Sequence, residues 1–134
     1  MHPLRKLRES GHATPAQVSA LLADDVVFNS PILVRSIGGR DVIAAIFAQS
    51  SSTRGSGTYT TEIKLDERTT FLRWVGTMDG HKIESLEVIV DNEQGLIKER
   101  TIALRPFPAV KLFRDAMYAS LKDKLPPDVW DYTA

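Results

Sequence analysis

The chain has 134 residues and a mass of 14.9 kDa, the size of one domain able to build its own core. Its 17 lysines and arginines balance its 17 aspartates and glutamates, so charge makes no case for nucleic acid or an anionic membrane as partner. It has no cysteine, which excludes disulfides, zinc–thiolate sites, iron–sulfur clusters and cysteine nucleophiles, and no apolar run reaches the roughly 20 residues of a membrane helix. Met1 to Lys6 is followed by no apolar stretch. It does not read as a secretory signal, and the expected setting is cytoplasmic.

Pro3 to Glu9 predicts a short helix ending near Ser10-Gly11. Thr14 caps a second one: Pro15 takes the first helical position, Gln17 completes a capping box, and Val18, Leu21 and Leu22 recur at helical spacing up to Ala23. Val26-Val27-Phe28 is a β-type run stopped by Pro31, and Ile32 to Ile37 predicts another short strand closed by Gly38-Gly39. Asp41 to Gln49 predicts a helix with Val42, Ile43, Ile46 and Phe47 as its apolar positions. Ser50 to Gly57 (SSSTRGSG) reads as a linker in preference to a pocket lid.

From Thr58 the period changes to two, predicting strands over 58–66, 69–78, 81–91 and 95–105. Asp79-Gly80 marks a two-residue hairpin turn, and Asn92 to Gly95 a longer one. Pro106 and Pro108 end the sheet. Pro108 to Lys124 predicts the last helix, with Val110, Phe113, Met117, Leu121 and Leu125 at spacings of three or four. Pro126-Pro127 stops it ahead of a tail carrying Trp130 and Tyr132. Helices, a short hairpin, a helix, four long antiparallel strands and a helix make an α+β domain over residues 1–134.

The turns fix which side chains share a face. A two-residue turn at Asp79-Gly80 sets Met78 opposite His81, Trp74 opposite Ser85 and Leu72 opposite Glu87. A turn at Glu67-Arg68 sets Ile63 opposite Leu72, and a four-residue turn at Asn92 to Gly95 sets Glu87 opposite Arg100. One face then carries Tyr59, Ile63, Leu72, Trp74, Ser85, Glu87, Ile89, Arg100, Ile102 and Leu104. The other carries Phe71, Arg73, Val75, Glu84, Leu86, Val88, Val90, Thr101 and Ala103. Both are largely apolar, so both need a cover. Helices supply one; a second subunit, or the C-terminal helix and tail, supplies the other.

The chain resembles the nuclear transport factor 2-like superfamily, in its SnoaL-like and ketosteroid isomerase-like branch. The residues that carry the resemblance are Leu21 to Pro31 (LLADDVVFNSP), Gly39-Arg40-Asp41, Tyr59-Thr60, Asp79-Gly80, Glu93 to Ile97 (EQGLI) and Leu104-Arg105-Pro106. It spans nearly the whole chain in element order. It implies a cone-shaped fold: a curved, mostly antiparallel sheet wrapped by N-terminal and C-terminal helices around a single pocket. It further implies a homodimer through the outer sheet face. The first face above is then the pocket face, with Phe28 and Ser30 joining it from the first strand. By the same resemblance Glu87 matches an acidic residue that helps bind an oxyanion. Ser30 stands where the family's general base stands, and a serine without an adjacent base takes up no proton at neutral pH. The first helix also lacks the family's tyrosine.

Glu87 and Arg100 are the candidate catalytic residues, and three readings stay open for them. Facing each other they form a structural ion pair; with a ligand present they orient its polar groups; Glu87 alone in an apolar pocket becomes an acid or base. Trp74 and Tyr59 are core packing or a platform for a planar ligand. His2, His12 and His81 read as solvated, and no pair has the spacing of a helical metal site; no metal and no cofactor is expected. The sequence thus predicts a protein binding a small hydrophobic, partly polar molecule, with isomerase-, cyclase- or hydrolase-type chemistry. The alternative is a non-catalytic ligand-binding or dimerisation module with a structural Glu87–Arg100 pair.

Overall fold

The computed structural model describes residues 1–11 and 13–131; His12 and Tyr132 lie outside the described residues. In chain order come α1 (Pro3–Glu9), α2 (Pro15–Ser19), β1 (Leu22–Asn29), β2 (Ile37–Gly38), α3 (Arg40–Thr53), β3 (Gly57–Lys64), β4 (Thr69–Met78), β5 (His81–Asp91), β6 (Ile97–Arg105), α4 (Phe107–Leu121) and a 3-10 turn (Pro127–Val129). The strands form one six-stranded sheet in the order β2-β1-β6-β5-β4-β3. Side chains from α3, α4 and one sheet face share a single core that includes Ile43, Phe47, Leu72, Ile89, Phe113 and Met117. Ala109, Phe113, Met117 and Leu121 are buried at four-residue spacing, so α4 lays one stripe on the sheet.

The α+β class stands, and four of the five strand pairings are antiparallel as expected, but the cone with its curved sheet is corrected. The sheet is mixed and open: β1 runs parallel to β6, and β2 and β3 are edges that do not pair with each other. It is neither closed nor strongly curved. Parallel neighbours are joined by long crossovers with no local turn to announce them. Here the pairing of Leu22 with Ile97 and of Phe28 with Arg100 spans most of the chain.

That pairing also shortens the second helix. The amide of Ile97 donates to the carbonyl of Leu21 (2.8 Å), and Leu22 and Ala23 enter β1 instead of extending α2, which ends at Ser19. The capping box at Thr14 forms as expected, with Gln17 answering the Thr14 side chain. Of the strand predicted over Ile32 to Ile37 only Ile37 pairs, opposite Phe28. The stretch before it bends, and the Val34 amide donates to the carbonyl of Val129 (2.8 Å) in the 3-10 turn.

The serine-rich stretch is helix, not linker, through Thr53. Its hydroxyls bond within the helix: Ser51 Oγ donates to the Phe47 carbonyl (3.1 Å) and Ser52 Oγ to that of Gln49 (3.0 Å). Arg54 closes α3, and Gly55 ends it with φ 77°. A Cβ on Gly55 would sit 2.5 Å from the Thr77 carbonyl oxygen, so this exit from the helix admits only glycine.

Strand register is as expected between β4 and β5, where Trp74 faces Ser85 and Leu72 faces Glu87. Between β3 and β4 the loop has three residues, Asp66 to Arg68, with Asp66 accepting from the Arg68 amide (2.9 Å). Ile63 therefore faces Phe71 and lies on the outer face, 50% exposed. A bulge between Tyr59 and Thr61 returns Tyr59 to the inner face opposite Trp74. Between β5 and β6 a turn one residue shorter than expected and a further one-residue bulge set Glu87 opposite Ile102 and Arg100 opposite Ile89. A slip of two residues keeps every side chain on its face, so Glu87 and Arg100 meet diagonally.

Candidate ligand site

The inner face of the sheet carries a charged core. Arg100 donates to one oxygen of Glu87 through Nε (2.7 Å), and its Nη2 lies 2.5 Å from the same oxygen as an ion-pair contact. The Arg100 and Glu87 side chains are only 3% and 1% exposed. The other carboxylate oxygen, Oε1, is buried and has no hydrogen-bond partner among the described residues. The Arg100 guanidinium also lies 4.4 Å from the centre of the Phe47 ring, against its electron-rich face.

Two further arginines, not anticipated from sequence, reach this core. Arg54, at the end of α3, is 1% exposed and stacks 4.9 Å from the Trp74 ring centre. Its Nε and Nη1 are buried with no acceptor among the described residues. Arg8, from α1, stacks 5.9 Å from the Tyr59 ring centre. The residue is half-buried, but its Nη1 is fully covered and equally without an acceptor. The Tyr59 hydroxyl and Ser85 Oγ complete this set of buried, unpaired polar atoms. Helical spacing holds a signal for both arginines: Arg54 follows Phe47 by seven residues and Ser50 by four, and Arg8 follows the buried Leu4 by four.

Charge in this core is unbalanced, and ionisation equilibria register it. Burial holds the Arg54 guanidinium well below its ordinary pKa, and neighbouring Arg8 and Arg100 add to the lowering. Burial lowers Arg8 too, with Arg100 adding to the effect and Glu87 opposing it. For Glu87, burial is the largest single influence and pushes upward. Arg100, Arg8 and Arg54 together outweigh it and hold the carboxyl below the usual glutamate value. Glu87 is therefore ionised at neutral pH and a weak base, poorly matched to proton abstraction or donation.

Arg54 and Arg100 also form the polar end of a cavity between the sheet, α3 and α4. Its walls are Phe28, Ile102, Leu104, Phe113, Met117 and Trp130, with Ser30 and Ser50 among the few polar groups. Its volume is ≈ 20 Å³, on the scale of one water. A shallower surface hollow of ≈ 170 Å³ is lined by Arg8, Tyr59 and Trp74 together with Gly55 and Gly57. The arginine cluster thus borders both spaces.

The residues proposed from sequence divide among these places. Phe28, Ser30, Arg100, Ile102 and Leu104 line the cavity. Tyr59, Leu72, Trp74, Ser85, Glu87 and Ile89 are buried on the same sheet face without lining it. Ile63 is on the opposite face. Ser30 Oγ accepts from the Ile32 amide (3.2 Å), a turn-forming contact. His2 is not solvated: it is 7% exposed, its Nδ1 caps α1 by accepting from the Leu4 amide (3.1 Å), and its Nε2 meets the Asp91 carboxylate (3.1 Å). His81 is exposed. Among the described residues no three histidine, cysteine or carboxylate side chains are grouped to hold a metal, and no helix is long and apolar enough to cross a membrane.

No protein-family model matches the chain, and no curated protein is significantly similar to it in sequence. Solved structures do align. An uncharacterised bacterial protein with a cystatin-like fold from Silicibacter pomeroyi DSS-3 is 26% identical, with a TM-score of 0.82 over 92% of this chain and 89% of that one. A steroid delta-isomerase from Pseudomonas aeruginosa is 18% identical, with a TM-score of 0.74 over 92% and 94%. An NTF2-like protein of unknown function from Cytophaga hutchinsonii ATCC 33406 is 14% identical, with a TM-score of 0.60 over 81% and 88%. The chain therefore has the NTF2-like α+β fold that its motif order implied, and shares it with the cystatin-like Silicibacter protein and with a steroid isomerase.

Proposed function

We propose that the chain binds a small hydrophobic, partly polar molecule between the sheet and α3, and that its charged core recognises the ligand without moving protons. The observation that carries this is the state of Glu87. It is pinned by a hydrogen bond and a close ion-pair contact from Arg100 and held ionised by three guanidiniums, so it lacks the raised pKa of a general acid. Ser30 supplies no base in its place. The isomerase-type alternative draws on the likeness to the steroid delta-isomerase, but a shared fold hosts many chemistries.

Binding is tested with neutral n-hexanol, a slim apolar probe, read by thermal shift and by the change in fluorescence of Trp74 and Trp130, the chain's two tryptophans. Saturable binding is expected, with no conversion of a Δ5-3-ketosteroid to its conjugated enone. Enone formation that Glu87→Gln abolishes would restore the isomerase reading; absence of any saturable signal would remove the binding one.

We infer further that a second copy covers the outer sheet face. Leu86 is 39% exposed on that face and Ile63 50%, with Phe71, Val88 and Val90 half-buried. Val88→Arg is expected to convert a dimer to a monomer in sedimentation velocity. A wild-type chain that sediments as a monomer, or an unchanged variant, refutes this.

A further inference from the structure

The buried charges point to the chemistry of the ligand. Three guanidiniums reach the inner sheet face around one carboxylate: Arg100 from β6 bonds Glu87, Arg54 at the end of α3 stacks on Trp74, and Arg8 from α1 stacks on Tyr59. Arginine stays protonated in proteins, so two of the positive charges have no counter-charge in this core among the described residues. Arg5, the next arginine on α1, differs: it lies over Tyr59 as well but is paired with Glu9 (2.9 Å) and Glu62 (3.2 Å). An unpaired buried charge is among the costliest features a fold can carry. A structural arginine offsets that cost by spending its donors on carbonyls or carboxylates. Arg54 leaves Nε and Nη1 unspent, and Arg8 leaves Nη1.

We propose that Arg54 and Arg8, together with Arg100, clasp the carboxylate of an apolar organic acid whose hydrocarbon part lies along the Phe28–Phe113–Met117 wall. This rests on the small-molecule reading above and names the class of ligand. A guanidinium fork suits a planar carboxylate, which accepts at both oxygens. The Tyr59 hydroxyl and Ser85 Oγ are also buried and unpaired on this sheet face, but neither lines the cavity. The cavity that Arg54 and Arg100 border is otherwise apolar, which suits a hydrocarbon tail and leaves a strongly hydrated ion such as inorganic phosphate with nothing to gain there. A cavity of ≈ 20 Å³ must widen around the tail, so a slim probe is the proper test.

The experiment compares hexanoate, hexanol and inorganic phosphate on the full chain at pH 7, by tryptophan fluorescence and thermal shift. Hexanoate is expected to bind roughly tenfold or more tightly than hexanol. Arg54→Met is expected to erase that preference, keep hexanol binding, and raise the Tm of the free protein by removing an unpaired buried charge. Should Arg54→Met fail to fold, Arg8→Met carries the same expectation for the preference. Equal affinity for acid and alcohol overturns the carboxylate assignment while leaving the binding reading intact; no response to either overturns both. Phosphate binding without hexanoate binding overturns the organic acid in favour of an inorganic anion. A lowered Tm with the preference unchanged makes Arg54 structural and overturns its role.

Discussion

Replacing Glu87 with glutamine is expected to destabilise the protein by about 3–5 kcal/mol, the range for removing one partner of a buried ion pair. The amide preserves the shape of the side chain but not its charge. Arg100, Arg8 and Arg54 would then be left in the core without a neighbouring anion, and the amide oxygen that still accepts from Arg100 offsets none of their charge. Urea denaturation at pH 7 measures the loss, and a change below about 1 kcal/mol would mean that water reaches this core freely. The double variant Glu87→Gln, Arg100→Met is expected to recover part of the loss, since removing both partners costs less than stranding one. The pH dependence has a definite sign. Glu87 is held below its unfolded pKa of about 4.5, so the native state keeps this carboxyl ionised where the unfolded chain protonates it. Its contribution is complete above that value and is lost as pH falls through the lower folded one. Wild type should lose stability across that acid window with a slope that Glu87→Gln lacks.

Where a turn dictated register, the sequence was readable to the residue. Asp79 and Gly80 take φ of 50° and 79°, the left-handed pair a two-residue hairpin demands, and every pairing between β4 and β5 follows from it. The Glu87–Arg100 contact was readable for a weaker reason: a turn one residue shorter and a one-residue bulge near Val90 together moved Arg100 by two residues, which preserves its face. A slip of one is not so forgiving. The extra residue in the Asp66 to Arg68 loop put Ile63 on the outer side. The open, mixed sheet was hidden because β1 and β6 are brought together by the whole intervening chain and not by any turn. Arg54 was hidden by composition. Serines that signal a loop when their hydroxyls seek loop backbone here bond to the preceding helical turn, and so carry an arginine into the core. His2 escaped because a residue at a chain terminus is ordinarily solvated, whereas this one caps α1 and meets Asp91.

Arg54 keeps its position because Trp74 cannot move, and the reason lies in two facing glycines. Gly57 pairs with Gly76 across β3 and β4. The indole of Trp74 lies against both: a Cβ on Gly57 would sit 2.1 Å from Trp74 Cζ2 and 2.7 Å from the Val75 carbonyl oxygen, and one on Gly76 would sit 2.4 Å from Trp74 Cη2 and from the Ser56 carbonyl oxygen. The ring occupies the space two side chains would fill, and Arg54 stacks upon it. Gly57→Ala is therefore expected to cost about 3 kcal/mol, at the upper end of overpacking, because neither a rigid indole nor a paired backbone can yield cheaply. Displacing the indole should also shift tryptophan emission and release the Arg54 guanidinium from its aromatic support, weakening the preference for hexanoate over hexanol. Gly38→Ala is the control: its added Cβ meets nothing nearer than 3.9 Å, so a near-neutral change is expected. If both alanines shift the urea midpoint equally, Trp74 is not clamped by the glycine pair, and the buried position of Arg54 must be held by the end of α3 alone.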